Sequence, residues 1–184
     1  TDIGSSLMNI KFAGLVVVLL LIFFSTNARS AGISGLDLQL GLGSVHAEKR
    51  SDGKPWNERN SGAAIQYISN GVLFGSEVEY CATAGQLANS EYGQTVFMGG
   101  CFRKTVLRGQ AGRISVGAFA GMMTYPSIYN TARRTGEVFP VILPTASACL
   151  KNGNCLDTTF IPKVQEKTAS AAILFVLRFP IKHW

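Results

Sequence analysis

The stretch Gly35-Leu36-Asp37-Leu38-Gln39-Leu40-Gly41-Leu42-Gly43 decides the fold class. Leucine occupies every second position, and Asp37, Gln39 and the glycines fill the gaps. Successive side chains of a strand point to opposite faces. This segment is therefore a strand with one face of leucine and one that is polar or bare. In a water-soluble lipocalin-like barrel or sandwich the leucines would turn to a dry centre. In a barrel crossing a bilayer they turn to lipid, and small and polar residues take the interior.

The same alternation recurs along the chain. Ala171, Ile173, Phe175, Leu177 and Phe179 share one face of the last segment, with Arg178 on the other. Ile114, Val116, Ala118, Ala120 and Met122 share a face in the middle. No segment after residue 31 has a helical period. Strands are expected near 36–46, 62–69, 72–83, 94–104, 111–124, 137–149, 155–162 and 169–179. The reading is all-β: an eight-stranded antiparallel transmembrane barrel, the smallest common even count. Longer polar connections near 47–61, 84–93 and 125–136 fall on one side. Placing both termini in the periplasm puts these loops outside.

The N-terminal part reads differently. Lys11 precedes an apolar run from Ala13 to Phe24, and small polar residues lead to Ala28 or Ala31. About twelve apolar residues are too few for a spanning helix, which needs about 20. They suit the helix of a secretory signal peptide, with a short membrane anchor as the alternative. Residues 1–31 are thus assigned to upstream residues plus signal, and 32–184 to the barrel. Of 17 basic and 11 acidic residues, the leader carries Lys11, Arg29 and Asp2, which leaves an excess of about +5. That favours anionic partners such as lipid head groups and is too small to argue for nucleic acid. No phosphate loop, dinucleotide fingerprint or metal-spaced His/Cys cluster occurs in the sequence, so no cofactor or metal is expected. A closed barrel has no edge that forces association, and a monomer is expected.

Four cysteines in an exported chain permit three pairings. Cys149 and Cys155 flank a turn centred on Asn152-Gly153, and Cys81 and Cys101 lie symmetrically about Glu91. Symmetry about a turn makes residues cross-strand neighbours, which predicts Cys81–Cys101 and Cys149–Cys155. Four unpaired core cysteines are the alternative. Proline cannot donate to a strand ladder. Pro140 and Pro144 within the sixth strand, and Pro162 ending the seventh, would leave a soft seam open toward the bilayer. Strand-end placement explains Pro140 and Pro162 equally well. Gly41, Gly43, Gly99, Gly117 and Gly121 suggest an interior roomy enough for an acyl chain.

Several motifs exceed a generic barrel pattern. They are Val45-His46-Ala47; Trp56-Asn57-Glu58-Arg59; Pro140 to Pro144 leading into Ala146-Ser147; Thr159-Phe160-Ile161-Pro162; and Arg178-Phe179 in the last strand. In that order, from about 36 to 179, they resemble the lipid A palmitoyltransferase family. The resemblance implies an eight-stranded barrel of the bacterial outer membrane that moves an acyl chain from a phospholipid to lipid A, with lipids entering sideways through a seam. It implies that His46 is the base and that Asn89-Ser90 match the family's Asp-Ser pair, Ser90 assisting through its hydroxyl. Asn89 departs from the Asp and cannot carry the charge that would stabilise an imidazolium. Arg59 is the expected phosphate partner, and Pro140, Pro144 and Pro162 line the lipid path. The competing expectation is a non-catalytic barrel that binds a hydrophobic ligand or supports the envelope. On that view His46 is a solvated rim residue, Ser90 part of a turn, and residues 57–59 a polar loop.

Overall fold

The computed structural model describes residues 34–50, 52–73, 76–126, 137–163 and 170–183. The expected leader, residues 1–31, lies outside them. Eight strands run in order: β1 (Gly35–His46), β2 (Gly62–Leu73), β3 (Ser76–Ala88), β4 (Gln94–Arg108), β5 (Gly112–Thr124), β6 (Val138–Leu150), β7 (Cys155–Ile161) and β8 (Ala172–His183). Each pairs antiparallel with its neighbours, and β8 closes on β1 into a barrel. Most boundaries fall within a few residues of those the alternation predicts. Residues 70–71, which fall between the expected second and third strands, lie inside β2, where Gly71 pairs with Val78. β8 continues through Pro180 to His183, with an irregular register near Ile181.

The wall is apolar outside and charged inside. Leu42 is 50 % exposed and Ile142 76 % exposed on the outer face, whereas Asp37 and Arg178 are 1 % and 2 % exposed. Arg178 pairs with Asp157 at 2.9 Å and Asp37 at 3.1 Å, and lies 3.6 Å from Glu79. Arg103 meets Glu79 at 2.7 Å and Asp157 at 3.5 Å. Arg113 meets the other Glu79 oxygen at 2.8 Å, and His183 reaches Asp37 at 2.8 Å. Three arginines thus face three carboxylates across the lumen, because burying any of these charges alone would be very costly.

Both disulfides form as predicted. Cys81 pairs across the β3–β4 ladder with Cys101, and Cys149 across β6–β7 with Cys155. All four residues point into the lumen at the level of the charged cluster or just beside it, where Gln66 donates to Cys81 Sγ and Arg178 to Cys149 Sγ.

Two junctions are only half closed. β1 and β2 pair over Gly35–Leu40 alone, and β6 and β7 only from Thr145↔Thr159 to Cys149↔Cys155. The upper part of β6 keeps its full register with β5 through both Pro140 and Pro144. Their missing N–H groups therefore belong to the β7 side, where the pairing stops.

A bulge governs the end of β1. Leu40 pairs with Leu177 and Gly41 with Val176, but Gly43 then pairs with Phe175, leaving Leu42 extra. One surplus residue reverses the alternation. Ser44 and His46 therefore face inward beside Leu174 and Ala172, and Val45 faces out beside Ile173. Gly41 and Gly43, read from sequence as interior space, serve a different purpose here. A side chain at Gly41 would strike the carbonyl of Asn60, and one at Gly43 would approach the carbonyl of Glu58. Their bareness admits the incoming loop. At Gly99 and Gly121 the Phe119 ring occupies the space that the missing side chains leave, and a side chain at either would also strike the backbone of the paired strand.

Candidate functional site

Above the charged cluster the lumen becomes apolar. A cavity of about 120 Å3 is walled by Ala64, Leu87, Phe97, Phe119, Leu143 and Val176, over a floor that includes Gln66, Arg103 and Asp157. A wider cavity of about 530 Å3 lies at the rim, lined by His46, Trp56, Ser90, Phe139, Pro140 and Pro162 among others. Ser90, Met123, Tyr125, Leu143 and Ile161 line both. The two form one chamber, a mouth leading down an apolar tube to a polar stop. Of the residues singled out from sequence, His46, Ser90, Pro140 and Pro162 meet at the mouth, and Asn89 lines the tube. Pro144 faces outward and lines neither cavity, as does the exposed Arg59.

The Trp56-Asn57-Glu58 motif assembles this mouth. Trp56 stacks on His46 with ring centroids 4.6 Å apart and planes 10° from parallel. Its indole N–H donates to the Glu48 carbonyl at 2.8 Å, and the Arg50 guanidinium carbon lies over the indole 4.9 Å from the ring centroid, a cation–π arrangement. Arg50 also grips Asp52 through two hydrogen bonds and holds that carboxyl well below the usual carboxylate range. The Asn57 backbone N–H donates to the Ser90 carbonyl and its side-chain amide to the Asn89 carbonyl, both at 2.9 Å. Asn60 adds a bond to the Ala88 carbonyl at 2.9 Å. These bonds lace the β1–β2 loop to the β3–β4 turn and bring His46 and Ser90 to one cavity.

Asn89 builds that turn. Its side-chain oxygen accepts from the backbone N–H groups of Glu91 and Gly93 at 3.0 and 2.8 Å, while its amide donates to the Pro126 carbonyl at 2.7 Å. The turn holds Tyr92 at φ 62°, a left-handed conformation uncommon outside glycine. Asn89 needs both an acceptor and a donor here, and aspartate would set an oxygen against the Pro126 carbonyl.

The carboxylate nearest His46 is Glu58, whose Oε1 lies 3.9 Å from Nδ1. Nothing in the spacing around Glu58 indicates that the loop doubles back over the end of β1. A neutral imidazole at this place is able to accept a proton. No protein-family model and no curated protein matches the sequence of this chain.

Proposed function

We propose that this chain is an outer-membrane barrel that transfers an acyl chain from a phospholipid to a hydroxyl of a lipid A-type acceptor. The observation that carries this reading is the single chamber in which an apolar tube opens at a mouth lined by His46 and Ser90. A belt of outward leucine, isoleucine, valine and phenylalanine suits a hydrocarbon surround, since an outer wall of this kind in water would be a large apolar patch. The unpaired upper seam between β6 and β7, beside Pro140 and Pro162, offers a lateral way from that surround to the mouth.

In this reading the acyl chain lies in the tube and its ester stays at the mouth. His46 takes the proton of the acceptor hydroxyl as that oxygen attacks the ester carbonyl. Ser90 donates a hydrogen bond to the oxyanion. Collapse of the tetrahedral intermediate breaks the bond to the glycerol oxygen, which receives the proton from His46. The products are the acylated acceptor and a lysophospholipid.

The test is expression in a strain lacking its own palmitoyltransferase, with lipid A examined by mass spectrometry. Addition of one acyl chain, abolished by His46→Ala in folded protein, is the expected result. An unchanged lipid A pattern with folded barrel in the outer membrane would overturn the reading. It would favour the alternative, a non-catalytic barrel whose tube binds a hydrophobic ligand.

A further inference from the structure

We infer that Glu58 is the positioning residue of His46, holding its Nδ1–H so that Nε2 is the free lone pair facing the chamber. This inference rests on the acyl-transfer reading for its consequence, and on geometry alone for the pair itself. A base whose ring can flip between tautomers is in the wrong one part of the time. Bases of this kind are oriented by a carboxylate on the second nitrogen. Asn89 cannot serve, because its side chain is committed to Glu91, Gly93 and Pro126. His46 Nδ1 is buried with no hydrogen-bond partner, and Glu58 Oε1 stands 3.9 Å from it. A rotation of the exposed Glu58 side chain closes that gap. The backbone favours it, since the Ser44 N–H donates to the Glu58 carbonyl at 3.0 Å and fixes that residue beside the end of β1.

Trp56 completes the arrangement. With the indole flat on one face, the imidazole has only its edges for hydrogen bonding. The loop thus fixes the ring plane through Trp56 and the tautomer through Glu58. Other charged groups stand nearby. Glu137 lines the same cavity, Arg50 lies behind the indole and is paired with Asp52, and Glu91 is buried in the β3–β4 turn. Of the described acidic groups, only Glu58 lies within ion-pairing distance of His46.

The chain has two histidines, His46 and His183, so nitrogen NMR of histidine-labelled full-length barrel in micelles resolves the site. His183→Gln assigns the signals. The expected result is a neutral His46 protonated on Nδ1 that shifts toward the Nε2–H form in Glu58→Gln and titrates at lower pH there. Glu58→Asp should restore part of the Nδ1–H population. Acyl transfer by Glu58→Gln should fall about tenfold in kcat with little change in KM, a modest loss because the carboxylate is largely in water. An Nε2–H tautomer in the unmodified protein, or equal tautomers in protein and variant, would overturn the inference even if lipid A is acylated. So would a Glu137→Gln effect as large as that of Glu58→Gln. If lipid A is not acylated but the tautomer depends on Glu58, the acyl-transfer reading fails and the pair stands.

Discussion

Replacing Arg178 by Met tests whether the lumen is held by balanced charge. Arg178 is 2 % exposed and lies within 3.6 Å of three carboxylates: Asp157, Asp37 and Glu79. The substitution keeps most of the side-chain volume, so it leaves charge rather than space uncompensated. Three buried carboxylates would then share Arg103 and Arg113. Breaking a buried pair by removing one partner costs about 3–5 kcal/mol. With an unfolding slope of about 2 kcal/mol per molar urea, the midpoint should fall by about 2 M. Unfolding in phospholipid vesicles or micelles, followed by tryptophan emission and by the gel mobility shift of a folded barrel, reads this directly. The decisive comparison is Arg178→Met with Asp157→Leu. That pair of changes leaves two carboxylates against two arginines and should recover at least half the loss. A single variant within about 1 kcal/mol of the parent, or a double variant no better than the single, would refute the charge-balance argument.

Further outcomes follow from other parts of the wall. Leu40→Arg, in the middle of β1 and facing outward beside Leu177, should cost about 2–4 kcal/mol in a bilayer, and Val45→Arg near the rim no more than about 1. Equal, negligible costs at both depths would remove lipid from the outer wall. Opening Cys81–Cys101, which spans 20 residues, should destabilise by about 3 kcal/mol, and opening Cys149–Cys155, which spans 6, by about 2, in denaturation of the serine variants. Asn89→Asp should not raise acyl transfer, and should cost about 1–3 kcal/mol of stability as it loses the bond to Pro126. A gain of activity would mean that residue 89 acts on His46 after all.

The barrel itself was legible because period-two alternation is a local signal, repeated in Leu36 to Leu42 and in Ile173 to Phe179. The disulfides were legible because each straddles a turn. The break expected between 62–69 and 72–83, at Asn70-Gly71, is absent for the opposite reason. The local turn preference of these two residues is overridden by the ladder pairing β2 with β3 over their full length, from Gly62↔Leu87 to Leu73↔Ser76. His46 and Ser90 were found through resemblance, but their meeting depends on Asn57, whose two bonds to residues 89 and 90 have no signature in spacing. Glu58 was missed because its closeness to His46 depends on the path of a loop. Arg59, the expected phosphate partner, is exposed and lines neither cavity.

The surplus residue at Leu42 has a consequence beyond its own turn of chain. Every odd or even position after it belongs to the wall opposite the one that simple counting assigns. Regular pairing through Leu42, with no residue set aside, would leave composition, strand number and motif order intact, yet would swing the imidazole from the chamber out into the surrounding medium. In such a wall the address of a reactive side chain is set by a count of residues, and a family motif can persist unchanged while pointing the wrong way.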